Sequence, residues 1–168
     1  MSTDDVKTIE PLSGPLSGSC VVPRDKSISH RAVLFSAMAE GASRLSGVLD
    51  SSDVRASINA VRKLGAEVTL EKQPDGSLSG GVVGWGAKGP KQPDGPIYCA
   101  NSGTTARLLM GILAPWDIEV KITGDESLSR RPMRRITAPL MKMGVSFDPA
   151  GAETLPIVER GTRDLRAI

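Results

Sequence analysis

The chain has 168 residues, of which 24% are charged, and its formal net charge is only +2. This length suits one domain with a buried core, and the small net charge argues against a general nucleic-acid binder. Aromatic residues make up 3%, which leaves few surfaces on which single-stranded bases could stack. The sequence shows no signal peptide, no membrane-spanning run and only two cysteines, so we expect a cytoplasmic protein without disulfides, metal, membrane or nucleic-acid partners.

Apolar periodicity, helix caps and turn residues predict a mixed α/β fold after a polar lead-in at residues 1–20. Helices are predicted where an apolar stripe follows a capping residue, and strands where β-branched residues alternate with polar ones. In chain order the prediction is strand 19–22, helix 27–40, strand 44–49, a helix capped within 50–53 and ending at 64, strand 66–70, strand 77–83, strand 97–100, helix 103–113, strand 118–123, helix 132–143, strand 145–147 and strand 155–158.

The same order of elements occurs twice, which indicates an internal duplication. The run Lys63-Leu64-Gly65-Ala66-Glu67-Val68 is matched by Lys142-Met143-Gly144-Val145-Ser146-Phe147, and each run ends a helix and begins a strand. A period this long predicts two β-α-β-α-β-β units around a shared core, at residues 21–100 and 101–168. Residues 165–168 are typical of the opening of another strand, so we expect the chain to stop before a third unit.

Two segments have the composition of an anion-binding helix start. The first cradle, residues 23–31, contains Lys26, Ser27 and Arg31, and the second cradle, residues 101–107, contains Asn101 and Gly103. Each combines small or hydroxyl residues and free backbone N–H groups with a basic side chain, and the positive end of a helix dipole favours anions. Two such segments predict a substrate with more than one anionic group. The alternative is two ordinary capped helices, with Ser27 as the first cap.

Residues 130–135 hold four arginines at a predicted helix start, Arg131 among them. Cations there oppose the helix dipole, which suggests a bound anion nearby, whereas the alternative is a solvated basic edge. Arg107 lies one turn into its helix, where it could contact ligand or anchor the helix. Asp53 is interpreted first as a helix cap and second as a site residue, and His30 as structural or solvated because it has no carboxylate partner in the sequence pattern.

Four segments together resemble the signatures of 5-enolpyruvylshikimate-3-phosphate synthases, in the same order, across roughly residues 12–168. They are Val22–Ala32, Leu49–Arg55, Asn101–Arg107 and Gly124–Met133. The resemblance implies transfer of the enolpyruvyl group of phosphoenolpyruvate to shikimate 3-phosphate, with release of phosphate, in the shikimate pathway that leads to chorismate and the aromatic amino acids. It implies no metal or organic cofactor and a monomeric intact enzyme.

The resemblance also implies roles for the candidate residues. Lys26 would be catalytic and contact both substrates, and the other assignments are Ser27 and Arg31 for shikimate 3-phosphate and Asn101, Gly103 and Arg131 for phosphoenolpyruvate, with Asp53 and Arg107 as further candidates. Glyphosate would occupy the phosphoenolpyruvate position. Because Ser102 and Leu108 stand where many sensitive members have Ala and Pro, the degree of glyphosate sensitivity stays open.

The family's fold implies that the chain is part of one domain of an inside-out α/β barrel. The acid–base residues and a third unit would lie outside the chain, so we expect an inactive N-terminal fragment that carries half a site and self-associates through exposed edges. One alternative is a UDP-N-acetylglucosamine enolpyruvyl transferase, which has Lys-Asn in place of Lys26-Ser27 and a reactive loop cysteine unlike Cys20 or Cys99. Another is a non-catalytic anion-binding module.

Overall fold

The computed structural model describes residues 7–11, 13–15, 17–20 and 22–168, and its elements form the predicted mixed α/β fold. No helix within these ranges is long and apolar enough to cross a membrane. The helices are α1 Lys26–Met38, α2 Ser52–Lys63, α3 Gly103–Leu113, α4 Glu126–Ser129 and α5 Arg134–Lys142, and the strands are β1 Ala42–Val48, β2 Glu67–Val68, β3 Glu71–Lys72, β4 Leu78–Val83, β5 Ile97–Tyr98, β6 Glu119–Thr123, β7 Ser146–Asp148 and β8 Ile157–Arg160.

The strands form two sheets with the same underlying order. The first sheet runs β1-β4-β2, with β3 also paired to β4, and all its pairs are antiparallel. The second runs β5-β6-β8-β7, in which β5 is parallel to β6 and the other pairs are antiparallel. Without β5, strand β6 corresponds to β1, β8 to β4 and β7 to β2. The repeated units are therefore visible in the sheets, which form no closed barrel within the described ranges; the boundaries 21–100 and 101–168 stay a prediction.

The matched sequence runs make the same turn. Gly65 after α2 and Gly144 after α5 have φ values of +97° and +107°, a region that favours glycine because it has no Cβ. In both turns the glycine N–H donates to the carbonyl three residues earlier, and the next N–H donates to the carbonyl five residues earlier, at 3.0 to 3.1 Å. These are the two bonds of a Schellman helix end, so the duplicated sequence produces a duplicated backbone.

The helices lie side by side, with α1 packed on α2, α2 on α3, and α3 on α5. Residues of both units enter one hydrophobic cluster, including Leu34, Val61, Leu109, Ile122 and Ile157, each of which is at most 1% exposed. This continuous cluster packs the helices of both units against one another.

Two predicted strands are wrong. Ser19, Cys20 and Val22 form no strand, and Val21 lies outside the described residues. Residues 165–168 also form none, since Arg166 N–H donates only to the Met143 carbonyl in the turn after α5. Short apolar runs become strands only when a neighbouring strand supplies the hydrogen bonds, which the local sequence does not reveal.

Helix α5 begins at Arg134 rather than at the predicted Pro132, and α4 before it was not predicted from the sequence. The Met133 N–H donates to the Glu153 carbonyl at 2.6 Å, which holds that residue outside the regular helix. Helix α4 is a single turn that Asp125 caps through the Leu128 N–H at 2.7 Å. Such a short helix carries no periodic signal to predict it from.

Candidate functional site

The first cradle forms the start of α1. Asp25, and not Ser27, caps this helix, since its Oδ1 accepts the Ile28 N–H at 2.6 Å. The capping interpretation of Ser27 is therefore wrong, and its side chain is exposed together with that of Arg31, one turn later on the same face. The hydroxyl and the guanidinium thus present one donor surface to solvent.

Lys26 is oriented by a carboxylate from the next helix. Its Nζ lies 2.7 Å from Oδ2 of Asp53 in the first turn of α2. The interpretation of Asp53 as a cap is wrong, because Ser51 caps α2 through the Val54 N–H. Asp50 does not cap either; Arg55 donates two hydrogen bonds to it at 2.5 and 2.9 Å, and these bonds hold the pKa of Asp50 below its ordinary value.

Asn101, at the second cradle, is clamped between two charged groups. Its Nδ2 donates to Oδ2 of Asp125 at 2.8 Å, and its Oδ1 accepts from Nη2 of Arg131 at 2.6 Å. Hydrogen bonds from Leu128 and then Asn101, aided by the charge of Arg131, keep the pKa of Asp125 low. The helix cap is Ser102, whose Oγ accepts the Thr105 N–H at 3.1 Å. Asn101 therefore orients the Arg131 guanidinium and does not cap α3.

Gly103 allows two guanidinium groups to approach the start of α3. A Cβ at this position would collide with Nη1 of Arg107 and would lie 3.6 Å from Nη1 of Arg131. Arg107 also donates to the Pro132 carbonyl at 3.0 Å, which ties α3 to the segment that carries Arg131. Arg107 is therefore an anchor that also places positive charge beside the backbone of Gly103.

The other arginines near α5 serve as surface ion pairs. Arg130 pairs with Glu126 at 2.5 Å and Arg134 with Glu153 at 3.2 Å, and all four side chains are exposed. The interpretation as a solvated basic edge thus holds for Arg130 and Arg134. Arg131, in contrast to Arg130, contacts the second cradle. The described residues contain no group of three or more His, Cys, Asp and Glu side chains that could hold a metal ion.

A buried row of polar side chains joins α1, α2 and the start of α3. His30 Nδ1 on α1 lies 2.8 Å from Ser57 Oγ on α2, which lies 2.8 Å from Thr105 Oγ1 on α3. Thr105 also lies 2.7 Å from Ser102 Oγ and donates to the Asp53 carbonyl at 3.3 Å. The two cradles are therefore contiguous, with Asp53 between them.

Ser57, Thr105 and Asp125 were not predicted as site residues, although the sequence carries a signal for two of them. Ser57 and Thr105 are fully buried hydroxyls on helix faces that are otherwise apolar. Buried hydroxyls need partners, so a polar residue within an apolar stripe indicates a hydrogen-bonded contact between elements. Asp125 follows a strand and carried no comparable pattern.

A family model, described as EPSP synthase (3-phosphoshikimate 1-carboxyvinyltransferase), matches residues 11–168. The chain belongs to the EPSP synthase family. It is 49% identical over 154 residues to the 3-phosphoshikimate 1-carboxyvinyltransferase of Parvibaculum lavamentivorans, covering 92% of this chain and 33% of that protein. The corresponding protein of Alkalilimnicola ehrlichii is 43% identical over 157 residues, covering 92% of this chain and 34% of the relative.

The fold agrees with this membership. An EPSP synthase structure from Acinetobacter baumannii superposes with a TM-score of 0.78 at 39% identity, covering 90% of this chain and 33% of the other. The chain therefore spans about a third of the length of the curated EPSP synthases that it matches. The resemblance stated from the four motifs is thereby confirmed at the level of family and fold.

Proposed function

We propose that the chain provides one side of an active site that transfers the enolpyruvyl group of phosphoenolpyruvate to shikimate 3-phosphate, with release of phosphate. The supporting observation is the contiguity of the two cradles, one lined by Lys26, Ser27 and Arg31 and the other by Asn101, Gly103 and Arg131. Both substrates carry several negative charges, so their approach requires fixed cations and N–H groups.

In this proposal Lys26 contacts both substrates. Ser27 and Arg31 hold shikimate 3-phosphate because their donors are exposed on one face, and Asn101, Gly103 and Arg131 hold phosphoenolpyruvate. Asp53 orients Lys26, and Arg107 fixes the backbone at Gly103. Glyphosate would compete for the phosphoenolpyruvate position. The acid–base groups belong to polypeptide outside these residues, which is why the site is proposed as half of an active site.

The proposal extends to the organisation and environment of the protein. Residues 21–100 and 101–168 act as two units of one domain, the intact enzyme is a cytoplasmic monomer, and it works in the synthesis of chorismate and aromatic amino acids. The isolated chain self-associates through exposed edges, as expected from the sequence. A further surface for association is the apolar face of α1, where Ile28 is 61%, Phe35 60% and Met38 40% exposed.

Turnover tests this function. The completed enzyme is defined as this chain joined to the part of the Parvibaculum relative that follows the matched region. The 168-residue chain alone should release no phosphate from the two substrates, whereas the completed enzyme should release it. Binding of anions without turnover by a folded completed enzyme would favour the non-catalytic module instead. Activity with a UDP-sugar acceptor in place of shikimate 3-phosphate would favour the other enolpyruvyl transferase class.

A further inference from the structure

The buried row of polar groups between the two cradles is built entirely from inaccessible side chains. His30 and Ser102 are 1% exposed, and Ser57 and Thr105 are fully buried. Each belongs to a helix that carries part of the proposed site or adjoins it: His30 to α1, Ser57 to α2, and Ser102 and Thr105 to the start of α3. A buried network of this kind favours one arrangement of its elements because every member loses a bond if they shift.

We assign the directions so that all four contacts of the row are hydrogen bonds, and the assignment starts from the Asp53 carbonyl. The Asp53 carbonyl can only accept, so the single hydrogen of the Thr105 hydroxyl points to it. Thr105 Oγ1 must then accept from both Ser57 and Ser102. Ser57, having donated its hydrogen to Thr105, accepts from His30, which therefore carries its proton on Nδ1. The row runs in one direction, from the imidazole to the Asp53 backbone.

The environment of His30 agrees with this neutral tautomer. Burial lowers the pKa of His30 below its ordinary value and outweighs the opposing effect of the Asp53 charge, while the Lys26 charge lowers it further. Nε2 finds no hydrogen-bond partner among the described residues. The imidazole thus serves as a donor through Nδ1 only, which fixes the orientation of its ring.

We propose that Thr105, Ser57 and His30 are positioning residues that hold the second cradle at a set distance from the first. This inference rests on the proposed function for the identity of the ligands. Asp53 links the row to the chemistry, because its backbone accepts from Thr105 and its side chain orients Lys26. A displacement of α3 relative to α1 would leave each cradle intact but separate the groups that hold the two substrates.

The kinetic consequence differs from that of losing a binding residue. The contacts that hold the proposed substrate-binding groups, Lys26 with Asp53 and Asn101 with Asp125 and Arg131, do not involve the Thr105 hydroxyl, so KM for either substrate should change little when the row is broken. The relative placement of the reacting groups is lost, and a shift of about 1 Å in such a placement can cost up to ~100-fold in rate. The row should therefore influence kcat far more than KM.

Three substitutions separate positioning from ordinary stability. Thr105→Val removes the hydroxyl at constant volume, and Thr105→Ser keeps the hydroxyl but removes a methyl group. Thr137→Val is the matched control, because Thr137 on α5 is 1% exposed and its hydroxyl donates to the Ala152 carbonyl, away from the row. All three should destabilise the fold, but only Thr105→Val should break the row.

The first measurement uses the 168-residue chain without ligand, so it does not depend on the proposed function. We expect Thr105→Val to shift the amide resonances of residues 26–31. Hydrogen exchange of the hydrogen-bonded amides of residues 28–31 should speed up at least ~10-fold more than the loss of global stability alone would cause. Thr105→Ser and Thr137→Val should leave these amides near their wild-type state. Unchanged amides in Thr105→Val, or equal changes in all three variants, would overturn the proposal.

Imidazole ¹⁵N shifts and kinetics complete the test. His30 should show a protonated Nδ1 in the wild-type chain, and a protonated Nε2 would contradict the assigned directions.

In the completed enzyme, Thr105→Val should lower kcat at least ~10-fold with KM values within about threefold, and Thr105→Ser should restore kcat. Displaced amides with wild-type kcat would refute a positioning role. Absence of wild-type turnover would instead count against the proposed function, while the amide result would still decide the coupling.

Discussion

Lys26 differs from the other exposed lysines because a carboxylate of a neighbouring helix holds its ammonium group at 2.7 Å. In the completed enzyme, Lys26→Ala should lower kcat/KM by at least ~100-fold, the scale of one lost electrostatic contact to a transition state. Lys26→Arg should not restore activity, because a planar guanidinium cannot replace a compact ammonium group paired with Asp53. Steady-state kinetics with both substrates varied would measure the loss.

Lys121→Ala is the matched control for this experiment. Lys121 is exposed on β6, which belongs to the second sheet rather than to a helix start, and its removal should leave kcat/KM unchanged. Kinetics of Lys26→Ala within threefold of wild type would remove Lys26 from the proposed site.

Glu159 is a buried carboxyl group that the site does not use. It lies on β8 opposite Val120 and Phe147, is 1% exposed, and neither of its oxygens has a hydrogen-bond partner among the described residues. Burial raises its pKa to about 9. The folded chain therefore keeps this carboxyl protonated at neutral pH, whereas the unfolded chain ionises it near pH 4.5.

Stability should consequently fall as the pH rises from about 4.5 to about 9, because the unfolded state releases a proton that the folded state retains. Glu159→Leu should remove this dependence and raise the free energy of unfolding at pH 8 by at least ~2 kcal/mol. Urea unfolding of both proteins at several pH values would measure the free energy of unfolding and its pH dependence. Glu67→Leu, at an exposed position of β2, should leave the pH profile unchanged. A wild-type profile for Glu159→Leu would contradict the buried, protonated assignment.

Among the secondary-structure elements, the helices were predicted best. α3 matches its prediction residue for residue, and α1 and α2 differ only at their ends, because caps, apolar stripes and terminal glycines are local signals. Strand 19–22 and the start of α5 were wrong because they depend on partners distant in sequence, such as the Glu153 carbonyl. Motif residues located the cradles, but the pairing of Lys26 with Asp53 and the buried row emerge only when three helices pack together.

The helix starts should retain weak affinity for anions in the isolated chain. Lys26, Ser27, Gly103 and Arg131 all lie at or near the starts of α1 and α3. We expect shikimate 3-phosphate to bind in the millimolar range, about −4 kcal/mol, and to shift the amides of Ser27, Gly103 and Arg131. Potassium chloride at matched ionic strength should not reproduce these shifts. Shifts confined to other surfaces, or none at high ligand concentration, would mean that the cradles do not bind this ligand without further polypeptide.

For the whole molecule, the exposed apolar face of α1 should govern association. Ile28, Phe35 and Met38 recur at helical spacing, and such a face favours a second copy of the same chain when nothing else covers it. Sedimentation equilibrium should show a mass that rises with concentration for the wild-type chain and a monomer for Phe35→Glu. Tyr98→Glu, which changes an equally exposed residue on β5, should associate as the wild type does. Identical behaviour of both variants would exclude the α1 face.

The shared turn at Gly65 and Gly144 also has an evolutionary meaning. A duplicated scaffold supplies two copies of the same helix start, and the two copies here now carry different chemistry. At the start of α1, the aspartate cap is followed by the ammonium group of Lys26. At the start of α3, the serine cap is followed by Gly103, which leaves the backbone open to neighbouring guanidinium groups. Duplication followed by divergence at one position of the repeat is thus a simple route by which two equivalent helix starts acquire different hydrogen-bond donors.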